Sequence, residues 1–66
     1  MPPLADYIAA VRYELNVNYG VRPHAYLAAR VDRAIGHLHR RRRDIATATF
    51  MIANMYQRGD FHDKLS

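Results

Sequence analysis

Gly36-His37-Leu38-His39-Arg40-Arg41-Arg42-Arg43-Asp44 decides the fold of this chain, because it either carries a helix through or breaks it. The residues argue both ways. Gly36 suits a helix C-cap, with Leu38 supplying the accompanying apolar contact. Arginines favour a helix C-terminus, Asp44 is a good N-cap, and four adjacent like charges repel. Against a break, His37 to Arg43 contains no Gly, Pro, Ser or Asn to specify a turn, and arginine is a good helix former. The apolar seam also keeps its register. Leu27, Val31, Ala34 and Leu38 on one side, and Ile45, Ala48, Ile52 and Met55 on the other, follow heptad steps, with Arg41 at the vacant position between them. A continuous helix is therefore the first expectation, and a break at 36–44 the second.

Outward from this stretch the boundaries are clearer. Pro2 and Pro3 precede a run in which Leu4, Ile8, Val11 and Leu15 repeat at steps of four, three and four, the stripe of an amphipathic helix that Tyr7 widens. Ala5, Ala9 and Ala10 raise its helix propensity, and Asn16, Asn18 and Gly20 end it. Pro23 suits the first position of the next helix, and Val21 is placed to staple onto Tyr26. Gly59 is a good C-terminal stop; beyond it the tail 60–66 is polar, with Phe61 able to fold back onto Met55 or Tyr56.

Sixty-six residues make one domain, and half of them are apolar, which is globular rather than disordered composition. So short a chain gains from apolar burial about what it loses in ordering its backbone and side chains. It needs further support, and without cysteine neither a disulfide nor a thiolate zinc site supplies it. Oligomerisation is the remaining common route. No apolar run is long enough to span a bilayer, and the first residues lack the pattern of a signal peptide, so no membrane association and a cytoplasmic location are expected. The net charge of +4, with arginine supplying nine of ten basic side chains, leans toward polyanionic partners.

The expected fold is all-α: a helical hairpin of residues 1–66 with a short first helix at about 4–17 and a long second helix at about 23–58. At ~1.5 Å per residue these are ~21 and ~54 Å long, so the first covers only half of the second. The other half is apolar on nearly every side. Ile45, Ala48, Phe50, Met51, Ile52, Met55 and Tyr56 would then form a partner interface, most simply a homodimer giving a four-helix assembly. If the chain breaks at 36–44, a compact three-helix bundle is the alternative, and the need for a second chain weakens.

Chemistry-bearing residues point to binding rather than catalysis. The only serine is the terminal Ser66, and Thr47 and Thr49 have no activating base in pattern, so no catalytic residues, no cofactor and no enzyme are expected. His37 and His39 are two apart and face opposite sides of a helix, while His24 is isolated and His62, flanked by Asp60 and Asp63, lies in the tail; no metal site is expected. Tyr7, Tyr13, Tyr19, Tyr26 and Tyr56 read as packing at the margins of a core or as a protein-binding surface. A helix-turn-helix with Gly36 at the turn fails, because Asp32 falls where a small residue is needed and Arg42 where an aliphatic is needed.

Two functions follow from these residues. The first is a small regulatory protein, an adaptor or inhibitor of the kind phages and mobile elements encode, packing Phe50, Met51, Met55 and Tyr56 against an unidentified protein partner. The second is a nucleic-acid-binding protein that contacts phosphates through Arg33, Arg40, Arg41, Arg42 and Arg43, since guanidiniums bind phosphate bidentately. Solvation of the charged band, its stems lying over apolar surface, is the plainer alternative for the arginines.

Overall fold

The first helix, α1, spans Leu4–Tyr19 in the computed structural model, which describes residues 1–61. Its first backbone bond runs from the Tyr7 amide to the Pro3 carbonyl at 2.9 Å. Tyr7, Val11 and Leu15, at steps of four, are wholly buried and define its inner face. Gly20 closes it at φ 65, a left-handed conformation that glycine adopts without steric penalty, and the Gly20 and Val21 amides return to Asn16 and Leu15. After an extended segment, a 3-10 turn at Ala25–Leu27 leads into α2, Ala28–Arg40. The chain then turns and α3 runs over Ile45–Gln57.

The three helices pack up, down and up. The Arg12 guanidinium donates to the Asp32 carboxylate at 2.8 Å and the His39 ring meets the Pro2 carbonyl at 2.8 Å, which sets α2 antiparallel to α1. The Tyr7 hydroxyl reaches the Arg43 carbonyl, immediately before α3, at 2.7 Å. At the other end Tyr19 and Val21 share a cleft with Ala53 and Tyr56, so α3 runs parallel to α1. Tyr7, Val11, Leu15, Val31, Ile35, Leu38, Ala48, Ile52 and Phe61 form the core.

The second helix is thus broken, and the three-helix alternative describes the described residues. Their longest dimension is 36 Å, far short of the ~54 Å a continuous helix would need. The break falls at Arg41–Asp44 and not at Gly36, which lies buried inside α2. The seam nevertheless holds on both sides of it: Leu27, Val31, Leu38, Ala48 and Ile52 are buried, and Ala34, Ile45 and Met55 half-buried. Other boundaries shift. α1 continues past Asn16 and Asn18 to Tyr19, because a helix can carry polar residues on its exposed face to the point where glycine closes it. Pro23 lies in the extended segment, and the Val21–Tyr26 staple does not form: Tyr26 is 66% exposed and stacks on His24 instead, ring centroids 5.7 Å apart. Leu4 is exposed, its expected place in the stripe taken by Tyr7. Phe61 does fold back, 4% exposed, its ring 4.9 Å from that of Tyr56. The readings for His62, Asp63 and the rest of the tail lie outside the described residues.

Candidate functional site

Arg40 to Arg43 form the α2–α3 turn, and the backbone there closes α2 in a Schellman arrangement. The Arg42 amide donates to His39 and the Arg43 amide to Leu38, both at 3.0 Å. The same pattern closes α3, where Gly59 donates to Tyr56 and Asp60 to Met55. The residue that must turn left-handed is Gly59 at φ 79 in α3, and Arg42 at φ 58 in α2. A β-carbon in that region meets the following carbonyl oxygen and costs about 1–2 kcal/mol. Arg42 is the only non-glycine with positive φ among the described residues.

Two contacts hold the strained turn from below. Tyr7 is fully buried yet polar, and its hydroxyl donates to the Arg43 carbonyl. Burial, and secondarily the Asp44 carboxylate, push the Tyr7 phenol above its ordinary pKa, so it stays a donor. The His39 ring packs edge-on against Tyr7, centroids 4.8 Å apart, and ties the turn to the Pro2 carbonyl. On the far side Asp44 accepts the Thr47 amide at 3.1 Å and caps α3; hydrogen bonding from Thr47, its side chain first and its amide second, draws the carboxyl below the usual carboxylate pKa. Asp44 is thereby occupied as a cap rather than paired with an arginine.

The arginines of the turn are all exposed. Arg12 pairs with Asp32 and Arg58 with Asp60, each at 2.8 Å, while Arg22 bonds Asn16. Arg40 meets only the His37 ring, at 2.7 Å. Arg30, Arg33, Arg41, Arg42 and Arg43 have no carboxylate partner among the described residues. Arg33 lies on α2, and its spacing to His37 and Arg40, four and seven residues, puts the three on one exposed face. Arg30 extends that face by another turn and is part of the cluster that the run of four drew attention away from; the three-residue step to Arg33 was the available signal. A basic ridge ~15 Å long, at ~1.5 Å per residue, thus leads along α2 into the turn.

The apolar interface candidates are divided by the fold. Ala48 and Ile52 are wholly buried against α1 and α2 and are not surface residues, a correction that follows from α3 folding back. Ile45, Met55 and Tyr56 are half-buried against the same core. Phe50, 55% exposed, and Met51, 37% exposed, remain on the outer face of α3. Tyr56 keeps a buried hydroxyl without a hydrogen-bond partner among the described residues, and its pKa is raised chiefly by that burial. No group of three or more His, Asp or Glu side chains among the described residues is placed to hold a metal ion. No helix among them is long and apolar enough to cross a membrane. Compared with models of protein families, with curated proteins and with solved structures, the chain matches none.

Proposed function

We propose that this protein is a non-enzymatic nucleic-acid-binding module that contacts phosphates through Arg40, Arg41, Arg42 and Arg43, with Arg33 and Arg30 along α2 extending the contact. The observation that supports it most is the cost of the turn. An arginine occupies a left-handed position at which glycine closes α1 and α3, beside three more exposed arginines without carboxylate partners among the described residues. A purely structural turn loses more than it gains from this choice: glycine removes a strain of about 1–2 kcal/mol at an unfolded-chain cost of about 0.4–1 kcal/mol, and fewer like charges relieve the repulsion. A ligand that supplies several phosphates makes sense of both, because each guanidinium can hold one bidentately and release a counterion. Backbone strain of this kind is characteristic of binding sites.

The test is the salt dependence of binding. Four phosphate contacts give a slope of about −3.6 in log K against log salt, a loss of about 150-fold between ~50 and ~200 mM. Changing Arg40 through Arg43 to glutamine should abolish binding of a labelled 20-base-pair duplex while leaving the circular dichroism spectrum unchanged. A flat salt response, or no shift of duplex or single strand at low salt, sinks the proposal.

A second reading, a regulatory or adaptor role through helix packing, is favoured by Phe50 and Met51, two large apolar side chains side by side on α3 in contact with solvent. A second copy of this chain is the simplest occupant of that face. Sedimentation of wild type and Phe50→Glu across micromolar concentrations tests it: a monomer throughout removes self-association as the reason for the exposure.

A further inference from the structure

One cavity lies at the same pole as the arginine turn. A groove of about 450 Å3 is lined by Met1, Pro2 and Pro3 on one wall and by His39, Arg40 and Arg42 on the other. Its walls are fixed relative to each other by the contact of 2.8 Å between the His39 ring and the Pro2 carbonyl, and its floor by the packing of His39 on the buried Tyr7. Among the described residues it is lined by two guanidiniums and no carboxylate. Of the four consecutive arginines, Arg40 and Arg42 line the groove, whereas Arg41 and Arg43 do not.

We propose that this groove is a specific phosphate subsite, in which Arg40 and Arg42 take the anionic oxygens of one phosphate group while Arg41 and Arg43 make weaker contacts to neighbouring phosphates outside it. The inference rests on the nucleic-acid reading and sharpens it, since it makes the four arginines unequal. A diffuse basic patch treats each charge alike, whereas a built groove does not. Proline at both Pro2 and Pro3 suits the role, because the wall has little backbone freedom to lose when an anion enters.

Four single variants decide it: Arg40→Gln, Arg41→Gln, Arg42→Gln and Arg43→Gln, each removing one charge from the turn and keeping an uncharged polar side chain. Binding of a labelled 20-base-pair duplex is measured at low salt, and inorganic phosphate is titrated separately with amide chemical shifts as the readout. The expected result is a loss of about tenfold for Arg40→Gln and Arg42→Gln against about threefold or less for the other two. Phosphate should give saturable shifts at the His39, Arg40 and Arg42 amides that Arg41→Gln preserves. Equal losses in all four variants, or phosphate shifts that grow without saturating, overturn the subsite while leaving the broader binding in place. No duplex binding by the wild-type chain overturns the broader reading, and the phosphate titration then still judges the groove by itself.

Discussion

Arg42→Gly separates what the turn needs from what its ligand needs. At φ 58 the arginine carries a steric cost of about 1–2 kcal/mol that glycine does not. Glycine in turn gives the unfolded chain more freedom, a loss of about 0.4–1 kcal/mol. The Arg42 side chain is exposed, so little packing is forfeited, and removing one of four adjacent cations adds a small gain. The net expectation is about 1 kcal/mol of stabilisation, which for a domain of this size raises Tm by about 4–8 °C. Urea unfolding followed by far-ultraviolet circular dichroism should show a higher midpoint with an unchanged slope, the mark of a stability change without a change of compactness. Duplex affinity should move the opposite way, falling with a shallower salt dependence as a guanidinium is removed from the phosphate contact. Arg42→Gln is the control: it removes the charge and keeps the strain, so it should weaken binding without the full rise in midpoint. If Arg42→Gly melts at or below the wild-type temperature, the left-handed backbone is not a cost borne at this position, and the main support for a ligand at the turn is gone.

Other positions give sharp expectations of the same kind. Gly36→Ala should stabilise by about 1 kcal/mol, since a β-carbon there meets Arg40 Nη1 and Leu4 Cδ1 only at 3.9 and 4.0 Å, ordinary contact distances, and alanine is the better helix former. Gly20→Ala should do the reverse by about 1 kcal/mol, because its φ of 65 penalises any β-carbon although the space around it is open. Tyr7→Phe removes the hydroxyl that anchors the Arg43 carbonyl and should lower stability by about 1 kcal/mol, read as a fall in Tm with the helical signal intact. Stability against pH should fall off at both ends. Tyr7 and Tyr56 have folded pKa values raised above 10.0, so what their protonated forms contribute is complete below pH 10 and lost as pH rises through the folded values. Asp44, lowered from 3.8 by hydrogen bonds from the Thr47 side chain and then its amide, contributes above that value and loses its contribution as pH falls through its folded value; Asp44→Asn should flatten the acid limb.

Much of the fold was legible in the sequence because apolar spacing survives a change of connection. The residues of the seam are buried or half-buried whether they belong to one helix or to two, since each half needs only its own stripe. The Asp44 cap and the return of Phe61 onto Tyr56 were legible for a similar reason: each depends on a few neighbouring residues. The turn itself was not, because its defining residue is an arginine in a conformation that glycine usually signals. What stabilises it is remote in sequence. Tyr7 lies 36 residues before the carbonyl that it binds, and no local pattern announces that contact. The apolar surface was misjudged for a related reason. Ala48 and Ile52 look unpartnered along a single long helix, and gain cover only when α3 returns to lie against α1.

Arg41 carries the physical reason why the chain breaks here and what the break makes available. In an unbroken helix it occupies the one seam position between Leu38 and Ile45, so packing that seam against a partner would bury a guanidinium. Asp44, three residues on, is the one carboxylate within helical reach of it, and pairing there would draw that carboxylate into the seam as well. Even a paired charge costs several kcal/mol of desolvation on burial, more than the left-handed strain at Arg42. Ending α2 at Arg40 returns Arg41 to solvent at the smaller cost. It also redistributes the other arginines. Successive residues on a helix point about 100° apart, so four in a row circle the axis and no more than two can face one ligand. On the turn they belong to one exposed end of the molecule, with Tyr7 and His39 fixing the backbone beneath them. The feature that lets α3 bury Ala48 and Ile52 within its own chain is therefore the same one that gathers the charge into a surface able to meet several phosphates.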